Sequence, residues 1–183
     1  MTITGVQAST SKSTTTTDRP VPRWAELVAH AIPLLLLPQC LWRLPFAFGF
    51  EMGMEDMDIG SLWISVPYIF GLSLTTEALA LLCFGLVRRW GVIVPEWVPV
   101  LRGRRIPPYV ALVPATLGGL GATLLWGPFL LSVLGVPGFE GPGQAPGAWQ
   151  LLFNVCVLPA TLWGPLVLAL TVQYYLRRRP VRA

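Results

Sequence analysis

SLWISVPYIFGLSLTTEALALLCFGLV, residues 61–87, carries one charged side chain, Glu77, in 27 positions. At about 1.5 Å per residue, a helix of that length outruns a hydrocarbon core of roughly 30 Å. In lipid every backbone N–H and C=O must be satisfied within the segment, so the stretch reads as a membrane-spanning helix. Three further stretches read the same way: 24–42, extending towards Phe50, then 109–135 and 149–176. The whole chain agrees. Of 183 residues, 54% are hydrophobic and 12% charged, where soluble domains carry about a quarter charged. The sequence predicts an all-α, integral membrane four-helix bundle.

Prolines fall inside all four stretches: Pro33 and Pro38, Pro67, Pro114 and Pro128, Pro159 and Pro165. Each is expected to kink its helix, as membrane helices tolerate. Residues 1–22 are Ser/Thr-rich and polar. They have no apolar run of the signal-peptide kind and read as a disordered tail. Residues 23–177 form the transmembrane domain, and 178–183 a basic tail.

Twelve of the thirteen basic residues precede the first stretch, lie between the second and third, or follow the fourth. Only Arg43 falls on the other side. The positive-inside rule then places both termini in the cytoplasm of a multi-pass cell-membrane protein. The inner arginines suit anionic headgroups, and nucleic acid is not an expected partner. The loop 90–108, with Trp90, Pro95, Trp97 and Pro99, reads as a short interfacial segment. The loop 136–148 reads as irregular. Gly118, Gly119, Gly121 and Ala122 form a small-residue strip that permits close helix contact. The tetrapeptide at 114–117 recurs at 159–162, a coincidence rather than an inverted repeat.

One His and three scattered Cys exclude a bis-His haem site and a Cys-x-x-Cys relay. No cofactor and no metal is expected. Glu77 remains: an ionisable group inside the hydrocarbon layer is costly and is a functional candidate by default. In its neutral form, a carboxyl in a dry pocket donates a proton. The alternative is a structural hydrogen bond to a neighbouring helix.

The segment 51–58 gathers Glu51, Glu55, Asp56 and Asp58 with Met52, Met54 and Met57. It reads as a solvated acidic loop, as a carboxylate folded back over the bundle, or, least well, as a metal site. Arg43 is expected to pair with one of these acids. His30 lies four residues after Glu26 and reads as a structural pair. Asn154 and Gln150 sit near the outer end of the fourth stretch, suited to hydrogen bonds across the bundle or to a site.

Aromatic side chains crowd the outer half: Trp42, Phe46, Phe48, Phe50, Trp63, Tyr68, Phe70, Trp126, Phe129, Trp149 and Phe153. They form either a packed interfacial belt or an aromatic-lined pocket beneath the acidic loop. Ring faces stabilise cations, and a water-excluding chamber with an acid at its edge suits carbocation chemistry.

The run Thr76-Glu77-Ala78-Leu79-Ala80-Leu81-Leu82 resembles a known group. So do Gly85-Leu86-Val87-Arg88-Arg89-Trp90-Gly91, Val94-Pro95-Glu96-Trp97-Val98-Pro99, Gly103-Arg104-Arg105-Ile106-Pro107 and Leu41-Trp42-Arg43-Leu44. The group comprises small actinobacterial integral membrane proteins. Some of them, in drimentine-type indole sesquiterpene pathways, are membrane-embedded terpene cyclases. The resemblance covers roughly 24–176.

It implies an isomerase-type activity on a hydrophobic prenylated small molecule, such as a farnesylated indole, entering from the lipid bilayer. A carboxylic acid, Glu77 or one of Glu51, Glu55 and Asp58, would protonate it. Trp42, Arg43, Phe46, Trp63, Tyr68, Trp126, Trp149, Phe153 and Asn154 would surround it. Two other classes stay open: a proton-coupled transporter using Glu77 as a homo-oligomer, and a non-catalytic accessory subunit.

Overall fold

The computed structural model describes residues 20–54, 61–88, 91, 93, 106–139 and 147–178. All regular structure among them is helical, and four helical segments are long and apolar enough to cross a membrane. α1 (Arg23–Arg43) begins after the extended Pro22 and passes into a 3-10 turn, Leu44–Phe48. Gly49 ends that turn at φ +80°, where a residue without Cβ is at ease, and the Gly49 N–H donates to the Phe46 carbonyl. α2 (Leu62–Leu82) runs into a 3-10 turn, Cys83–Leu86. α3 spans Pro108–Val133.

The fourth span, expected as one helix kinked at Pro159 and Pro165, is built in three pieces. It consists of α4 (Ala148–Val157), a 3-10 turn (Leu158–Leu162) and α5 (Trp163–Arg178). Pro159 supplies the reason, because it has no N–H to donate to the carbonyl four residues back. The other prolines inside helices, Pro33, Pro38, Pro67, Pro114 and Pro128, lie within α1, α2 and α3 without such a break. The tail 1–19, the carboxylates Glu55, Asp56 and Asp58, and most of the loop 90–108 lie outside the described residues.

α1 is the central helix. It packs against α2 on one flank and against α4 and α5 on the other, while α3 packs on α5. The α1 seam is lined by Ala25, Ala29, Ile32 and Leu36, each under 2% exposed. Their i, i+4, i+7, i+11 spacing places them on one stripe.

α3 and α5 approach most closely at two glycines. A Cβ on Gly164 would stand 2.2 Å from Thr123 Oγ1 and 2.5 Å from the Thr123 backbone nitrogen. A Cβ on Gly119 would stand 2.9 Å from the Leu168 side chain. Without a hydrophobic drive between helices in lipid, such backbone-to-backbone contact is what holds them. Four threonine hydroxyls inside the spans are satisfied within their own helix. Thr75, Thr76, Thr123 and Thr171 each donate to the carbonyl four residues back. Large apolar side chains such as Leu27, Leu34, Leu124 and Leu151 face outward, as a lipid solvent requires.

The arginine-bearing end is fastened by α5. The Tyr174 hydroxyl donates to the Gly91 carbonyl at 3.0 Å. Arg177 Nη1 donates to the Val87 carbonyl at 3.3 Å, and Arg178 Nη2 to the Ile106 carbonyl. The Tyr174 ring lies against both guanidinium groups, 5.6 Å from each. His30 does not pair with the Glu26 carboxylate. Its Nδ1 donates to the Glu26 main-chain carbonyl at 2.7 Å, and its ring meets Phe84 edge-on.

Candidate functional site

Glu77 sits on the stripe of α2 that faces α1, one turn after Ser73 and one before Ala80. Ser73 and Ala80 are buried there, and the small side chains let α1 come near. Cys40, on α1, donates its thiol to the Ser73 carbonyl at 3.7 Å. Glu77 and Arg43 are both ionisable neighbours of that thiol. One carboxyl oxygen of Glu77, Oε2, is buried without a hydrogen-bond partner among the described residues, and so is the Ser73 hydroxyl. Two such groups, four residues apart on one helix face, leave polar capacity unspent in an apolar layer. Such a place can take up a proton or a polar group. The alternative of a hydrogen bond from Glu77 to a neighbouring helix is not seen at Oε2 among the described residues.

A second assembly lies on the other flank of α1, beside α4. Trp42, Phe46 and Phe153 are each at most 7% exposed. Trp42 meets Phe46, Trp149 and Phe153 edge-on at 6.1, 6.4 and 5.9 Å between ring centres, and Phe153 meets Phe129 at 5.5 Å. Trp126 packs on the same cluster and buries its indole nitrogen without a partner among the described residues. The first residues of the acidic loop fold back over these rings. Met52 and Met54 pack on the cluster, and Gly53, at φ +80°, lies so close to Trp149 that a Cβ would fall 2.7 Å from it. Glu51 immediately precedes these residues in the chain, with its side chain exposed.

A third place is a cleft of about 510 Å³ between α2 and α3. Leu79, Leu82 and Leu86 form one wall, Pro114, Gly118 and Gly121 the other, and Val167 of α5 lies behind them. Glu77 is not part of its lining.

The residues singled out from the sequence therefore divide. Trp42, Phe46, Trp126, Trp149 and Phe153 come together, and Glu51 adjoins in the chain the loop residues that pack on them. Glu77 and Cys40 lie on the opposite flank of α1, which turns Trp42 to α4 and Cys40 to α2. Trp63 and Tyr68 point outward, at 90% and 61% exposed. Arg43 is partly buried and makes no ion pair among the described residues, Glu51 included. Asn154 accepts a hydrogen bond from Gln150 at 3.2 Å, along α4 rather than across the bundle. Glu55 and Asp58 lie outside the described residues.

Two features escaped the sequence reading. Ser73 joins Glu77 through i, i+4 spacing, a visible signal. The cleft depends on how α3 is turned. Gly119 and Ala122 are buried, whereas Gly118 and Gly121 have no atom within 4 Å of a notional Cβ. Adjacent glycines on one strip thus serve different faces. No protein-family model, no curated protein and no solved structure matches the chain.

Proposed function

We propose that the protein is a membrane-embedded terpene cyclase that folds and protonates a farnesylated substrate, such as a farnesylated indole, drawn from the bilayer. The observation that supports this reading is the start of the acidic loop, Met52–Met54, packed on the aromatic cluster, with Glu51 next to it in the chain. A carboxylic acid there gives its proton to the terminal alkene or epoxide of the farnesyl chain. The alkene π electrons close the rings in turn, and the edge-packed aromatic groups stabilise the cations. Loss of a proton to a carboxylate ends the sequence, so the product is an isomer of the substrate. Bilayer burial keeps water from trapping the cations. In this reading the termini face the cytoplasm, as the arginine distribution favours, and the prolines bend the helices around the substrate.

Glu51 and Glu77 are the two described carboxyls the mechanism can draw on. Glu51 is favoured by its place next to the loop residues packed on the rings, Glu77 by its buried oxygen. Membranes containing the protein, incubated with farnesylated indoles, should yield a cyclic isomer of unchanged mass, read by mass spectrometry and NMR. Glu51→Gln or Glu77→Gln should abolish it, and the variant that does identifies the donor. Absence of any isomer across a panel of prenylated substrates overturns the reading.

The unpartnered Glu77 and Ser73 favour a second reading, a proton-coupled transporter working as a homo-oligomer. Its mark would be proton release when an organic cation binds, lost in Glu77→Gln, with no isomer formed.

A further inference from the structure

We propose that the cleft between α2 and α3 binds an anionic phospholipid, one acyl chain lying in the cleft and the phosphate resting on Arg88 and Arg178. This is independent of the cyclase reading, because the cleft holds neither the aromatic cluster nor Glu77. α2 and α3 do not pack on each other along their lengths; α3 leans on α5 and α2 on α1. The gap between them is therefore built into the fold. Its walls come from two helices long enough to span the membrane, so whatever fills it is drawn from the hydrocarbon layer. Glycines at 118 and 121 on the α3 wall remove the side chains that would fill it.

Charge identifies the headgroup. Leu86, Gly91 and Ile106 line the arginine-bearing end of the cleft. Arg88 stands in the turn between Leu86 and Gly91 with its side chain exposed. Arg178 is held at the Ile106 carbonyl. No acidic side chain among the described residues lines the cleft. An apolar groove with guanidinium groups at one mouth matches a lipid whose phosphate lies level with the membrane surface.

Native mass spectrometry of the full chain, with phosphatidylglycerol and phosphatidylcholine offered in equal amounts, tests this. The wild-type protein should retain one phosphatidylglycerol at least tenfold over phosphatidylcholine. Gly121→Leu, which has open space for its side chain, should lose retention at least tenfold while melting within a few degrees of wild type in lipid-free detergent. Arg88→Gln should keep a bound lipid but lose the preference for the anionic one. Inorganic phosphate at millimolar concentration should not displace the lipid; displacement would mean that the phosphate alone is recognised, and overturns the acyl-chain site. Equal retention of the two lipids by wild type, undiminished retention by Gly121→Leu, or replacement of the phospholipid by a farnesyl compound would each overturn the proposal.

Discussion

At the scale of single residues, glycines carry more of this architecture than any polar group. Gly164 has the Thr123 backbone against it, and backbone cannot turn aside as a side chain can. Gly164→Ala should therefore push α3 from α5 and cost about 1–3 kcal/mol, as overpacking does, read as a lower midpoint in thermal unfolding in detergent. Gly118→Ala, on the open face, should leave the midpoint within a degree or two. Equal effects would mean that α3 is turned differently. Glu77 makes the complementary point. A carboxyl oxygen without a partner gains nothing for stability, so Glu77→Gln should unfold no more easily than wild type. A large loss of stability would mark Glu77 as structural.

At the scale of elements, the spans were legible because lipid imposes a simple requirement of length and hydropathy, and residues 24–42, 61–87 and 109–135 gave helices within a few positions of those observed. The 3-10 turn at Leu158–Leu162 was less legible. Seven prolines lie in the spans and only some interrupt the α-helix, since neighbouring packing decides which lost hydrogen bond is tolerated. The aromatic cluster was half legible. Composition gave its members, but Trp63 and Trp42 look alike in sequence, and only the helix rotation makes one lipid-facing and the other central. Among the connections, Gly53 holds the loop on Trp149. Gly53→Ala meets both a positive φ and a ring at 2.7 Å, so it should lift the loop. Under the cyclase reading, isomer formation should fall at least tenfold while the melting midpoint moves by only a few degrees.

At the scale of the whole molecule, four spans are an even number of crossings, and the proposed orientation, with the arginine-rich side in the cytoplasm, has a direct test. Reporter fusions at residues 1 and 183 should both be active only as cytoplasmic reporters, and a fusion after Gly138 only as an external one. The opposite pattern would reverse the orientation and with it the side on which the acidic loop lies. The fastening of α5 to the rest of the bundle also has a consequence in time. Gly91 accepts its hydrogen bond from Tyr174, 83 residues further along the chain. At ribosomal speeds of about 5–20 residues per second, that partner arrives roughly 4–17 s after Gly91 itself has been made. During the interval the Gly91 carbonyl must be served by water or a lipid headgroup, so the segment around it has to wait at the membrane surface. The fold is closed from its later half backwards.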